Sequence, residues 1–175
     1  MTISEKIKNS IREVPNFPSQ GVNFKDITPI FENPLLCEDI IQAYIQTITE
    51  IPDAIIGIES RGFLFGFLLA NRLNVPFILA RKAGKLPYKT VKAEYKLEYG
   101  SAAIEINEGS IKPHQKILIH DDLLATGGTA LAAAELVKHH QAQVLAYTFL
   151  IELSFLNGKE KLNQITNNII CLTTY

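Results

Sequence analysis

The stretch Lys116 to Ala130, KILIHDDLLATGGTA, constrains this chain more than any other. Ile117, Leu118, Ile119 and His120 read as a mostly apolar, buried strand. Two adjacent carboxylates, Asp121 and Asp122, follow where its C-terminal end is expected, and Leu123 and Leu124 lead to Ala125-Thr126-Gly127-Gly128-Thr129. An Ala-rich helical segment, Leu131 to His139, comes next. Strand, tight turn and helix form the unit of an open α/β sheet, in which ligands bind in the crevice beyond the strand C-termini. A helix N-terminus placed there offers unpaired N–H groups and the positive end of its dipole, which suits a phosphate.

Glycines in such a turn permit φ > 0 and remove Cβ atoms, so consecutive backbone N–H groups can close around an anion while Thr126 and Thr129 add hydroxyl donors. No lysine follows the second glycine, so this is not a Walker A loop, and the spacing is not the dinucleotide G-x-G-x-x-G. Paired carboxylates beside a phosphate cradle suit a ribose, whose vicinal hydroxyls donate to them, or a metal ion. A strand-end Asp pair capping a turn, and a Thr capping a helix, would explain the same residues without any ligand.

A second unit of the same kind precedes it. Ala54 to Ile58 is a buried strand, Glu59-Ser60-Arg61-Gly62 a loop, and Phe63 to Leu73 a helix. An arginine at a strand-loop-helix junction suits a pyrophosphate, although a structural salt bridge is the plain alternative for Arg61. After the strand Val75 to Ala80 come Arg81, Lys82 and Lys85, three cations at the same sheet edge.

The remaining elements fit around these. Ile3, Ile7, Ile11 and Val14 recur at helical spacing behind a Ser4 cap, and Pro15 ends that helix. Another helix starts near Asn33-Pro34, with Leu36, Ile40, Ile41, Tyr44, Ile45 and Ile48 on its apolar face. Tyr88 to Lys96 is polar and charged, which suits a mobile excursion or an exposed hairpin arm, and is read as a lid. Strands follow at Ala102 to Ile106, Gln143 to Leu153 and Ile169 to Leu172. His120 reads as a satisfied strand-end histidine.

At 175 residues, 47% hydrophobic and 20% charged, the chain suits one soluble domain with a substantial core. A net charge of −1 supplies no overall basic field for nucleic acid or an anionic membrane. Cys37 and Cys171 lack zinc-ligand spacing and read as buried free thiols, which suits the cytosol. The N-terminus has no continuous apolar segment of the kind that targets a chain for secretion, and no apolar run reaches membrane-spanning length.

As a unit, ILIHDDLLATGGT resembles the phosphoribosyl pyrophosphate (PRPP) signature of the type I phosphoribosyltransferases. Phe17-Pro18 with Gly21 to Ile27, Glu59-Ser60-Arg61-Gly62-Phe63, Arg81 to Pro87, and Tyr95 to Gly100 are similar to the branch of that family that uses adenine, in matching order over nearly the whole chain. The resemblance implies an α/β fold, a twisted, mostly parallel sheet flanked by helices with a small N-terminal hood. It implies a single domain over 1–175, with helix and hood at about 1–33 and a mobile lid at about 87–98.

The implied reaction is adenine plus PRPP giving AMP and diphosphate. By the same resemblance, Asp121 and Asp122 bind the ribose hydroxyls, and Ala125, Thr126, Gly127, Gly128 and Thr129 the 5′-phosphate. Ser60, Arg61, Gly62, Arg81, Lys82 and Lys85 take the pyrophosphate, with Mg²⁺ held mainly through PRPP. Phe24 stacks on adenine, backbone groups around Asn23 and Lys25 read its edge, Leu123 closes the pocket, and Glu98 takes the proton. A non-proline cis peptide in the Glu59–Gly62 loop, a cytoplasmic location and a homodimer, with Arg81 reaching towards the partner's site, are further implications. A same-fold enzyme for another base, or a PRPP-sensing regulator that binds nucleic acid, are the rivals. The Phe24 hood and Leu97-Glu98-Tyr99-Gly100 speak against the first, and the short, near-neutral chain against the second.

Overall fold

The computed structural model describes residues 1–96 and 100–175. Helix α1 (Ile3–Ser10) is capped by Thr2, not Ser4. The Thr2 hydroxyl accepts from Glu5 N while the Glu5 carboxylate accepts from Thr2 N, a reciprocal capping box. Ser4 Oγ instead lies 2.8 Å from Thr173 Oγ1. The helix stops before Ile11, whose backbone is already extended, short of the Pro15 end that the spacing suggests, because the residues from Arg12 onward pair as a strand. Arg12–Pro15 is strand β1, which pairs antiparallel with β2 (Asn23–Asp26), so Val14 faces Phe24 across a two-stranded ribbon.

After the single turn α2 (Thr28–Phe31), α3 (Pro34–Thr47) begins as its sequence requires. The Asn33 side chain accepts from Leu36 N, proline occupies the first turn, and Leu36, Ile40, Ile41 and Tyr44 are buried.

Among the described residues the main sheet has seven strands. β3 (Ala54–Ile58), β4 (Phe77–Lys82), β7 (Lys116–Leu124), β8 (Gln143–Glu152) and β9 (Ile169–Thr174) are mutually parallel. The hairpin of β5 (Thr90–Lys96) and β6 (Ser101–Asn107) joins antiparallel, giving the order β5-β6-β4-β3-β7-β8-β9. Of the two forms open to residues 88–96, strand pairing in a hairpin arm is the one observed from Thr90 onward.

Alternation along the central strands sorts the core into two layers. Ile56, Ile117 and Ile119 face the Ala-rich helix α5 (Gly128–His139), packing on Ala130, Ala133 and Val137. Ile55 and Leu118 face the opposite layer with α1, α3 and α4 (Gly62–Leu73), including Ile40, Tyr44, Phe65 and Leu69. Helices thus cover both sides, as a parallel sheet requires. Among the described residues no helix is long and apolar enough to cross a membrane.

One boundary differs from the sequence reading in a way that matters for the site. β7 does not end before the acidic pair; it runs through Asp121 and Asp122 to Leu124. Its pairing with β3 ends at His120, opposite Gly57, whereas its pairing with the longer β8 continues to Leu124, opposite Glu152. The two carboxylates therefore sit on a strand that has outlasted one of its neighbours.

Candidate active site

Adjacent parallel strands deliver two helix N-termini to one sheet edge. β3 leads through Glu59 and Ser60, joined by a cis peptide, into α4, with Arg61 as its N-cap. β7 leads into α5, with Gly127 as N-cap at φ 75°. Neither helix has a side-chain cap or an acidic residue in its first turn, whereas α1 and α3 are capped by Thr2 and Asn33. The two helices at this edge thus leave their first-turn N–H groups and dipoles to face an anion.

Two glycines make the approach possible. A Cβ on Gly62 would come within 2.9 Å of Asp121 Oδ1 and 3.0 Å of both Asp121 Cα and His120 O, so a side chain there would push α4 off β7. Gly127 combines left-handed backbone with a close pass against Gly158 O, which a Cβ would meet at 2.9 Å.

A cavity of about 310 Å³ opens between these elements, lined by Glu59, Ser60, Arg61, Lys82, Lys85, Asp121 and Asp122. A smaller one of about 70 Å³ lies under the turn and is lined by Leu123 through Ala130 with Phe149. Asp121 lines both. Gly62 and Arg81 stand outside the larger cavity's wall. Arg81 donates to Glu59 Oε1 at 2.9 Å and to Lys85 O at 3.0 Å, so its guanidinium is engaged within its own chain. Glu59 also accepts from Lys82 N at 2.9 Å, which ties the basic segment to the β3 loop.

The ribbon reaches this cavity through Phe24. The Arg61 guanidinium lies 5.0 Å from the centroid of the Phe24 ring, and Phe17 meets that ring edge-on at 5.1 Å. The neighbouring side chains point the other way, as strand alternation demands. Asn23 Nδ2 donates to Glu13 at 2.9 Å, and Lys25 forms an ion pair with Glu13. Leu123 lies against the apolar layer that holds α3 and α4. Glu98 lies outside the described residues.

Comparisons with known proteins give the family. The phosphoribosyl transferase domain model matches residues 26–166. Adenine phosphoribosyltransferase of Cytophaga hutchinsonii is 45% identical over 174 residues, 99% of this chain and 96% of that protein. The enzyme of the same name from Ureaplasma parvum is 50% identical over 158 residues, 90% of this chain and 91% of its own. The chain belongs to the adenine phosphoribosyltransferase family. Among solved structures, adenine phosphoribosyltransferase of Thermoanaerobacter pseudethanolicus superposes with a TM-score of 0.94 at 43% identity, covering 99% of this chain and all of that one. The Saccharomyces cerevisiae adenine phosphoribosyltransferase, solved with an imino-altritol bisphosphate and adenine, gives 0.91 at 43% identity, covering 97% of this chain and 98% of its own. The likeness settles the fold as that of the type I phosphoribosyltransferases.

Burial leaves the electrostatics of this cavity unbalanced. Burial, and then repulsion from Asp122, pushes the Asp121 carboxyl well above its ordinary range. Asp122 is also raised by burial, with Arg61 opposing the shift. Arg61 Nε is 2.9 Å from Asp122 Oδ2, yet among the described residues that buried oxygen has no hydrogen-bond partner, so the contact is an ion pair whose N–H is not aimed at the oxygen. An orphan carboxylate oxygen on a cavity wall suits an incoming hydroxyl or a hydrated cation.

Glu105 supports the Lys85 turn, a role that the sequence reading missed. Only 1% exposed, its carboxylate accepts from Gly84, Lys85 and Leu86 backbone N–H groups and from Thr90 Oγ1, which fixes the turn that carries Lys85. Burial opposes its charge, but the Leu86, Thr90 and Gly84 donors outweigh that and hold its pKa low. The available signal was an acid between Ile104 and Ile106 in an otherwise apolar strand.

His120 is fully buried, with Nδ1 2.9 Å from Thr148 Oγ1 and its ring edge-on to Tyr44. Burial lowers its pKa to about 3, despite the opposing Thr148 contact, so it is neutral and structural. Cys37 and Cys171 are free thiols, and burial raises Cys171 to about 12.

Proposed function

We propose that the protein transfers the phosphoribosyl group of PRPP to adenine, giving AMP and diphosphate. The observation that carries this reading is the convergence of two uncapped helix N-termini and an acidic pair on adjoining cavities that share Asp121. The spacing suits a ligand with an anionic group at each end and a polyhydroxylated centre. The α5 turn, Ala125 to Thr129, receives the 5′-phosphate; Asp121 and Asp122 accept from the ribose hydroxyls; Ser60, Arg61, Lys82 and Lys85 hold the diphosphate, with Gly62 allowing the close approach and Arg81 ordering the basic segment through Glu59.

Displacement at the anomeric carbon passes through an oxocarbenium-like transition state, so the cations must stabilise the leaving diphosphate more strongly as its charge develops. Asp122, whose buried Oδ2 lacks a hydrogen-bond partner among the described residues, would help hold the hydrated Mg²⁺ that accompanies PRPP, and the ion would supply further charge neutralisation. Phe24 and Leu123 enclose the base, and backbone groups at Asn23 and Lys25 read its edge: adenine pairs an N6 donor with an N1 acceptor, and a 6-oxopurine reverses both, leaving buried groups unpaired. Glu98, on the arm 87–98 that closes over the site, accepts the imidazole proton.

The working form is a homodimer in the cytoplasm. Leu64, Phe67 and Leu68 are exposed at i, i+3 and i+4 on α4, an apolar stripe that a second copy covers. Diphosphate release measured with adenine, hypoxanthine, guanine and orotate, each with and without PRPP, tests the reading. Release with adenine and PRPP together is expected; preferred release with another base overturns it. Light scattering tests the dimer, and a monomer at working concentration counts against it.

A further inference from the structure

β2 presents two faces, and only one of them belongs to the site. Phe24 projects towards Arg61, while Lys25, one residue on, projects away and is buried to within 9% of its side-chain surface. What holds Lys25 is unusual for a surface cation. Its ammonium pairs with Glu13 of β1 and sits 4.1 Å from the centroid of the Tyr175 ring, with the Lys8 ammonium of α1 5.1 Å from the same ring.

Tyr175 is itself bolted down. Its N–H donates to Glu152 O at 2.9 Å, and its main-chain oxygen accepts from Ser154 N at 3.0 Å and Ser154 Oγ at 2.7 Å. Glu152 ends β8, whose pairing with β7 at Leu124 is the last rung before the Thr126 turn. A continuous set of contacts therefore runs from the sheet through Tyr175 to Lys25.

From this geometry we infer that Tyr175 is a positioning residue for the base. Its π face attracts the Lys25 ammonium, which is itself largely withdrawn from water, and that contact fixes the rotation of β2 about its own axis. Because side chains alternate across a strand, fixing Lys25 on one face fixes Phe24 on the other. Among the described residues the ribbon has two strands, and an isolated ribbon is marginally stable, so an anchor outside it decides where its inner face points. The inference rests on the proposed placement of the base beside Phe24 and adds the residue that sets that placement.

The test is a comparison of steady-state constants for Tyr175→Leu, Tyr175→Phe and Lys25→Met in the whole protein as it is expressed in nature. Tyr175→Leu is expected to raise KM for adenine about tenfold and KM for PRPP by less, since the ribbon meets the diphosphate end of the site through the Arg61–Phe24 contact. Tyr175→Phe keeps the ring face and is expected to restore the parent value to within threefold. Lys25→Met is expected to match Tyr175→Leu, and the Tyr175→Leu, Lys25→Met double variant to be no worse than either alone.

Equal rises in both KM values, a Phe variant as impaired as Leu, or losses that simply add would overturn the inference. Should Tyr175→Leu not fold, Lys25→Met and Tyr175→Phe decide the matter alone, because one removes the cation and the other keeps the ring. A parent enzyme that prefers a different base would sink the substrate reading instead, and the same KM split, measured on that base, would still test the anchor.

Discussion

Arg61 and Asp122 share a cavity wall with Nε and Oδ2 2.9 Å apart, yet among the described residues the oxygen has no hydrogen bond. The pair joins the diphosphate end of the proposed site to its ribose end, so neither residue is free to act alone. PRPP affinity measured by calorimetry in Arg61→Met, Asp122→Asn and the double variant is expected to show non-additive losses, with a coupling of about 0.5 to 3 kcal/mol. Losses that add would mean the contact is incidental.

Asp121 exchanges stability for binding. Its carboxyl is raised by burial and by Asp122, so the folded state binds a proton that the unfolded state, near the ordinary value of 3.8, has released. Stability is therefore lost as pH rises from that value through the raised one. Asp121→Asn is expected to melt higher than the parent at pH 8, with the difference vanishing at strongly acid pH, and to bind PRPP more weakly. An equal melting temperature for parent and variant at pH 8 would show that the folded protein does not resist this charge.

Gly127→Ala asks one backbone to accept two faults, a Cβ at φ 75° and a 2.9 Å approach to Gly158 O. The left-handed conformation alone costs a non-glycine residue about 1 to 2 kcal/mol. Chemical denaturation is expected to show at least that loss, and AMP affinity to fall because the turn must shift. Unchanged AMP affinity would separate the turn from the phosphate.

His120 should make the protein sensitive to acid. Its pKa falls from 6.5 to about 3 on folding, so its contribution is complete above pH 6.5 and is lost as pH drops towards 3. Across that window the parent is expected to lose up to about 1.4 kcal/mol per pH unit more than His120→Leu, whatever the two stabilities are at pH 8. Parallel stability-pH curves would show that the imidazole takes up no proton on unfolding.

Glu98→Gln keeps the side-chain shape and removes the basic oxygen. A positioned general base is worth about 10²- to 10⁴-fold, so kcat should fall by that factor with little change in adenine affinity, and the acidic limb of the pH-rate profile should flatten. Single-turnover chemistry within a few-fold of the parent would assign the proton to another acceptor.

The sequence by itself determined the α/β class, the two strand-turn-helix units and the residues most concerned with charge. Those features are local. An apolar strand ending in Asp121-Asp122 and a glycine turn ending in Thr129 carry their meaning in consecutive residues, and the Asn33-Pro34 start of α3 is written in its cap. Tertiary structure decided what depends on partners distant in the chain. β7 extends past its expected end because β8 supplies hydrogen bonds beyond the reach of β3. Val14 leaves the helical stripe for a ribbon because Phe24 lies opposite. Arg61 meets Asp122, Glu105 grips the Lys85 turn, and Tyr175 receives Lys25 across separations that no periodicity encodes. Backbone preference and hydrophobic alternation act over a few residues and can be read in order, whereas a buried charge or an aromatic face takes its role from whichever group the folded chain brings to it.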